Sequence, residues 1–177
     1  MKQVVSFDID GVVAGGKYIP EWDRDTQHYS KLPLLDDKIP RILKRLSKNW
    51  NIYLVSTRRY EDALTSTRGW LERFGIEVAG VIVNVPRLLK GPVVEILKAE
   101  MHFDDDLSVV KMIHGGRGVL FYGPEWAYRK EDLEGVRVVN DWDGVERVLG
   151  RHEDVRSLEV VKEEADKWPV QMELEYT

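Results

Sequence analysis

The chain has 177 residues, 43% of them hydrophobic and 32% charged, with a net charge of −5. That is enough for one domain with a substantial core, and the strongly basic excess of a dedicated duplex-DNA binder is missing. The lack of cysteine excludes disulfides, thiolate zinc sites and cysteine nucleophiles, and no apolar run approaches the roughly 20 residues of a membrane span.

Met1-Lys2 leads straight into an apolar run without a signal peptide, so the expectation is a cytoplasmic protein with no membrane attachment. Val4-Val5-Ser6-Phe7 predicts a buried strand that breaks into Asp8-Ile9-Asp10-Gly11, placing two acids at its C-terminal tip. Carboxylates that close repel by roughly 4 kcal/mol at about 4 Å and an effective dielectric near 20. A cation belongs beside them, and Mg²⁺, held by one or two carboxylates plus phosphate, is the ordinary one. A solvated Asp-Gly turn is the plainer reading of this motif taken alone. A calcium loop is excluded, because Val13 and Ile19 stand where it needs glycine and glutamate.

Val12-Val13 and Tyr18-Ile19, flanking Gly15-Gly16, read as a small hairpin that projects over the acids as a flap. Residues 20–33 read as a loop. Ile39, Ile42, Leu43 and Leu46 recur at helical spacing and predict an amphipathic helix ending near Asn49. Ile52-Tyr53-Leu54-Val55 is a second strand, closed by Ser56-Thr57-Arg58-Arg59. Leu64, Trp70, Leu71 and Phe74 mark a helix stopped by Gly75, and Val81-Ile82-Val83 is a third strand. Lys90-Gly91-Pro92 opens a helix with its proline in the first turn. Met101-His102-Phe103 is a short fourth strand running into Asp104-Asp105-Asp106. Val109, Val110 and Ile113 give a helix face, and Val119-Leu120-Phe121 a fifth strand. The glycines at 115, 116 and 118 precede that strand and make a turn, not a phosphate cradle. Residues 136–139 and a helix over 141–149 complete the alternation.

Strands separated by helices predict an α/β domain over residues 1–150 with a doubly wound parallel sheet. Residues 151–177 hold four Lys and Arg against eight Asp and Glu, which is −4 of the total −5. This acidic extension reads as a helix (Val155, Leu158, Val161, Ala165, Trp168) followed by a strand (Val170, Met172, Leu174, Tyr176), both packing on their own domain, with an interaction arm that builds a homo-oligomer as the alternative.

Polar residues therefore sit at three strand tips: Asp8 and Asp10, Ser56, and Asp104 with Asp105. In a parallel sheet these tips share one edge. Each has a dull explanation on its own, Ser56 or Thr57 and Asp106 serving as helix caps.

On these residues the chain resembles the haloacid dehalogenase-like phosphohydrolase superfamily. Its first motif matches Phe7-Asp8-Ile9-Asp10-Gly11-Val12, its second Val55-Ser56, its third a lysine placed at Lys90 with Lys98 as competitor, and its fourth Phe103-Asp104-Asp105. Roughly residues 4–122 are covered. The resemblance implies a magnesium-dependent phosphatase with Asp8 as nucleophile and Asp10 as acid and base. It implies metal contacts from Asp8, the Asp10 carbonyl and Asp104, with Asp105 ordering metal waters; Asp105-Asp106 is the alternative pair. Ser56 and Lys90 would meet the phosphoryl group.

The intervals where that superfamily inserts a cap hold only residues 12–35 and 84–89, so the chain looks capless. Val55-Ser56-Thr57-Arg58 with Asp104-Asp105 is similar to the phosphatase half of bacteriophage polynucleotide kinase-phosphatase, which makes Thr57 and Arg58 phosphate contacts, and 5′-nucleotidases look similar around Asp8 and Asp104. Arg58, Arg59 and Arg87, together with the aromatics Tyr122, Trp126 and Tyr128, favour a nucleotide or a phosphorylated nucleic-acid end as substrate. A sugar or metabolite phosphatase is the alternative. A non-catalytic phosphate-binding module with a partner-directed tail is the reading of another class.

Overall fold

In the computed structural model the described residues are 2–15, 28–59, 61–121, 128 and 130–150. They build a six-stranded, all-parallel sheet with strand order β3-β2-β1-β4-β5-β6. The strands are β1 (Gln3–Phe7), β2 (Trp50–Val55), β3 (Gly80–Ile82), β4 (Met101–Asp104), β5 (Gly118–Phe121) and β6 (Arg137–Val139). The helices are α1 (His28–Lys31), α2 (Ile39–Leu46), α3 (Ala63–Arg73), α4 (Lys90–Ile96), α5 (Leu107–Met112) and α6 (Trp142–Gly150). Among the described residues none of them is long and apolar enough to cross a membrane.

Side chains alternate across a strand, and here that alternation sorts the core into two layers. Val5 and Phe7 of β1, Ile52 and Leu54 of β2, Met101 and Phe103 of β4, and Val119 and Phe121 of β5 face one cluster that also takes in residues of α2, α3 and α6. Phe7 stacks between Phe103 at 4.9 Å and Trp142 at 5.2 Å. On the opposite face Val94, Ala99, Val109 and Ile113 pack with Val4 beneath α4 and α5. Helices on both faces make the sheet doubly wound. The strand order reverses between β1 and β4, and an open α/β sheet leaves a crevice at that switch, outside the C-terminal ends of its strands.

The helices and strands expected for the sheet and its flanking layers between residues 4 and 149 are found within a few residues of their predicted limits. Two local readings are corrected. Val12 and Val13 are not a hairpin strand; they lie in a fully buried turn in which the Val13 and Ala14 amides both donate to the Ile9 carbonyl. Residues 28–31, read as loop, form a short helix whose Tyr29 is buried against the first cluster. The rest of the flap and the whole extension 151–177 lie outside the described residues, as do Tyr122 and Trp126.

Candidate active site

At the switch point the Asp8 amide donates to the Phe103 carbonyl at 2.8 Å, which fixes the end of β1 against β4. Ser6 pairs with His102 in the register of these strands. By strand alternation Ser6 and Asp8, and likewise His102 and Asp104, lie on the α4 and α5 face. Lys90, the first residue of α4 and buried, closes the group: its Nζ donates to Asp104 Oδ2 at 2.7 Å and lies 3.0 Å from Asp8 Oδ1. A lysine at a helix N-terminus opposes the helix dipole, so these two carboxylates, not the helix, account for its place. Lys98, the competing candidate, is exposed, with φ 53° in the turn after α4.

Carboxylate oxygens of Asp8, Asp104 and Asp105 come within 4.8 Å of one another. Three acids face one ammonium, and burial adds to the strain. Desolvation pushes the Asp8 carboxyl well above its usual range, Lys90 opposes this, and Asp104, Asp105 and Asp10 reinforce it. Asp105 is raised to about 7, mainly by burial and then by the Asp104 charge. Burial works against the Asp104 charge too, but hydrogen bonding from His102 and the charge of Lys90 outweigh it and hold that carboxyl below its usual range. Lys90 is shifted up: burial alone would lower it, and the charges of Asp8 and Asp104 more than compensate. Asp8 Oδ1 is buried with no aligned hydrogen-bond donor among the described residues.

This set fits a divalent cation. Its donors are hard oxygens, one buried oxygen lacks a hydrogen bond, and two surplus negative charges match a charge of +2.

Asp106 stands apart from the trio. It caps α5 through Ser108 and pairs with Arg87 at 2.6 Å. Asp105 is seated by Gly11, whose φ is +85° and whose missing Cβ would fall 2.1 Å from Asp105 Oδ2. Only glycine combines that backbone with that approach. Tyr128 donates its hydroxyl to the Asp105 carbonyl at 3.1 Å.

Asp10 turns away from the trio. Its side chain is 40% exposed and is gripped by the Arg58 fork, Nε to Oδ2 at 2.9 Å and Nη2 to Oδ1 at 2.7 Å, while the Arg58 side chain is 0% exposed. Arg58 also donates to Thr67 Oγ1 at 3.0 Å and lies over the rings of Tyr29 and Trp70. In place of an outward phosphate contact, the structure places Arg58 as a buried holder of Asp10. Ser56 is buried at the tip of β2, its Oγ accepting from the Arg58 amide at 3.1 Å, and Thr57 is exposed beside it.

No sequence motif singles out His102 or Ser6 as part of the site. His102 is fully buried, with Nε2 3.1 Å from Asp104 Oδ2 and Nδ1 2.9 Å from Ser6 Oγ. Burial lowers its affinity for a proton, against the pull of Asp104. The ionised Asp104 can only accept, so the neutral ring carries its hydrogen on Nε2 and accepts the Ser6 hydroxyl at Nδ1. The available signal was a histidine one strand step before an acid, in an otherwise apolar strand.

No family model matches the chain, and no curated protein matches its sequence. Solved structures share its fold. D,D-heptose 1,7-bisphosphate phosphatase from Burkholderia thailandensis is 14% identical, with 83% of this chain and 97% of that chain covered and a TM-score of 0.53. A haloacid dehalogenase-like family hydrolase from Streptococcus pneumoniae is 9% identical, with 83% and 98% covered and a TM-score of 0.56. An uncharacterized protein from Listeria monocytogenes is 13% identical, with 85% and 98% covered and a TM-score of 0.61. The chain thus has the haloacid dehalogenase-like α/β fold, without a large cap among the described residues.

Proposed function

We propose that the protein is a Mg²⁺-dependent phosphomonoester hydrolase that works through an aspartyl-phosphate on Asp8. The observation that carries this is the trio of Asp8 and Asp104, buried, and Asp105, half-buried, closed by Lys90 at the topological switch point. An Asp8 oxygen attacks phosphorus as the bond to the leaving oxygen breaks, and Asp10 in its acid form gives that oxygen a proton. Asp10 then takes a proton from water, whose oxygen attacks phosphorus, restoring the Asp8 carboxylate and releasing inorganic phosphate. In the structure Arg58 occupies both Asp10 oxygens, so Asp10 leaves that fork to serve as acid and base. Lys90 and the Ser56 hydroxyl face the charge on the phosphoryl oxygens. Asp8, Asp104 and Asp105 would hold Mg²⁺, with the Asp10 carbonyl as a further contact; when bound, the ion offsets carboxylate repulsion and the charge of the phosphoryl group.

The substrate we favour is a nucleotide or the phosphorylated end of an oligonucleotide, because no large cap encloses the site among the described residues. Part of the earlier support is committed elsewhere, Arg58 to Asp10 and Arg87 to Asp106 and Ser108. A small sugar phosphate is the second reading, supported by the fold shared with a phosphatase named for a heptose bisphosphate.

Asp8→Asn should abolish p-nitrophenyl phosphate hydrolysis while leaving the melting temperature within a few degrees of the parent. EDTA should do the same reversibly, and fluoroberyllate with Mg²⁺ should stabilise the parent alone. Hydrolysis that survives the substitution or EDTA rejects the mechanism. Tight phosphate-ester binding without turnover across a panel of esters would favour the non-catalytic module instead.

A further inference from the structure

One cleft of the described residues lies beside the site without belonging to the machinery above. It has a volume of about 90 Å³ and is lined by Thr57, Arg59, Asn84, Val85 and Pro86. That is well short of the roughly 300 Å³ that encloses a whole ligand, so it suits one small group of a larger substrate. Its walls are fixed to the phosphoryl end of the site. The Ser56 amide donates to the Ile82 carbonyl at 2.9 Å, the Val85 amide to the Ser56 carbonyl at 3.1 Å, and the Asn84 amide to the Arg58 carbonyl at 2.8 Å. Thr57, which lines the cleft, is therefore the neighbour of the serine that faces the phosphoryl group. Asn84 holds φ at 63°, a backbone state that asparagine tolerates better than most residues.

The charge of the lining points one way. Among the described residues it holds a cation, two uncharged polar side chains and no acid. Among the arginines at this edge of the sheet, Arg58 is committed to Asp10 and Arg87 to Asp106, whereas Arg59 is exposed and makes no hydrogen bond or ion pair among the described residues. The centre of the site has the opposite character, with its carboxylates outnumbering Lys90. Among the described residues, a substrate with one phosphate at Asp8 and a second anion nearby has a compatible place for the second on the Arg59 side.

We infer that the cleft between residues 56–59 and 84–86 seats a second phosphate carried by the leaving group, and that Arg59 reads it through the planar fork that suits phosphate oxygens. This rests on the phosphatase reading of the neighbouring site. The preferred substrates are then phosphomonoesters whose alcohol bears another phosphate, whether that alcohol is a nucleotide or a sugar.

The test compares matched pairs on the full chain with Mg²⁺: nucleoside 3′,5′-bisphosphate against nucleoside 5′-monophosphate, and hexose 1,6-bisphosphate against hexose 6-phosphate. In at least one pair the parent should favour the bisphosphate about tenfold or more in kcat/KM, and the pair that shows it identifies the source of the second phosphate. Arg59→Ala should erase that ratio through KM, Arg59→Lys should recover part of it, and Arg59→Glu should invert it. A parent without the preference, or a preference that survives Arg59→Ala, overturns the assignment and leaves the phosphatase reading standing. Calorimetry on Asp8→Asn with the same ligands, with and without Arg59→Ala, separates the two ideas. Arg59-dependent binding of bisphosphates, when the parent chain hydrolyses no ester, supports the cleft and ends the phosphatase reading. Neither binding nor hydrolysis ends both.

Discussion

Asp105 shows what assembling acids at a strand tip costs. Its carboxyl is raised to about 7 in the folded protein by burial and by Asp104, against an ordinary value near 4 in an unfolded chain. Between those values the folded state binds the extra proton, so this group lowers stability as pH rises from about 4 to 7. Without metal, Asp105→Asn should therefore melt above the parent by about 3 °C or more at pH 7.5, and the gap should close at pH 4.5. Saturating Mg²⁺ should reverse the order at pH 7.5, and thermal melts in EDTA and in Mg²⁺ read both. An equal gap at the two pH values would show that Asp105 is not held protonated. His102 acts through Asp104: His102→Phe fills similar space but removes the Nε2 donor, so Mg²⁺ affinity measured by calorimetry should fall about tenfold or more, while a purely packing role would leave affinity intact. Arg58→Ala loses the grip on Asp10 and the faces of Tyr29 and Trp70. Because Asp10 remains partly solvated, the expected cost is about 2 kcal/mol, below the 3–5 kcal/mol of breaking a fully buried pair.

At the scale of elements, α6 is a clasp on the turn that follows β1. Trp142 stacks on Phe7 and donates from Nε1 to the Val12 carbonyl at 2.8 Å, so the turn after Asp10 hangs from a helix about 130 residues away. Trp142→Phe retains much of the stacking and strands that buried carbonyl, at about 1–3 kcal/mol by urea unfolding; no loss would mean that the turn holds itself. That clasp also explains what the sequence could not reveal. The strands were legible because a sheet covered on both faces needs near-continuous apolar runs, and these runs break at polar residues such as Asp8, Ser56, Asn84 and Asn140. Asp8, Ser56 and Asp104 were legible as strand tips for the same reason. Val12 and Val13 misled, because β-branched residues fit a buried turn as well as a strand once a tryptophan from α6 covers them. Arg58 misled because its partner, Asp10, lies 48 positions away, and only the pairing of β1 with β2 brings them together. His102 was invisible for a related reason: its meaning comes from Ser6 and Asp104 across and along the sheet, and neither spacing is a motif.

For the whole molecule, charge and core are divided unevenly along the chain. Among the described residues the buried cluster that carries the sheet runs from Val5 to Leu149, whereas residues 151–177 hold −4 of the net −5. A chain cut after residue 150 keeps every strand and helix described above and is left at −1. Its isoelectric point moves up from about 5.5 toward neutrality, where self-repulsion no longer opposes association. The cut chain should therefore melt cooperatively and retain Asp8-dependent turnover, yet be less soluble near pH 7 or change in oligomeric mass. Light scattering across pH 5.5–8.5, with thermal melts of both chains, separates the possibilities. Loss of a cooperative melt would place the extension in the core. Equal mass and equal solubility at every pH would make the extension dispensable and its charge without consequence. If lost solubility is recovered by adding acidic residues elsewhere on the surface, charge alone is the extension's contribution. If it is not recovered, the apolar residues Val170, Met172, Leu174 and Tyr176 are what the full chain uses, as an interface.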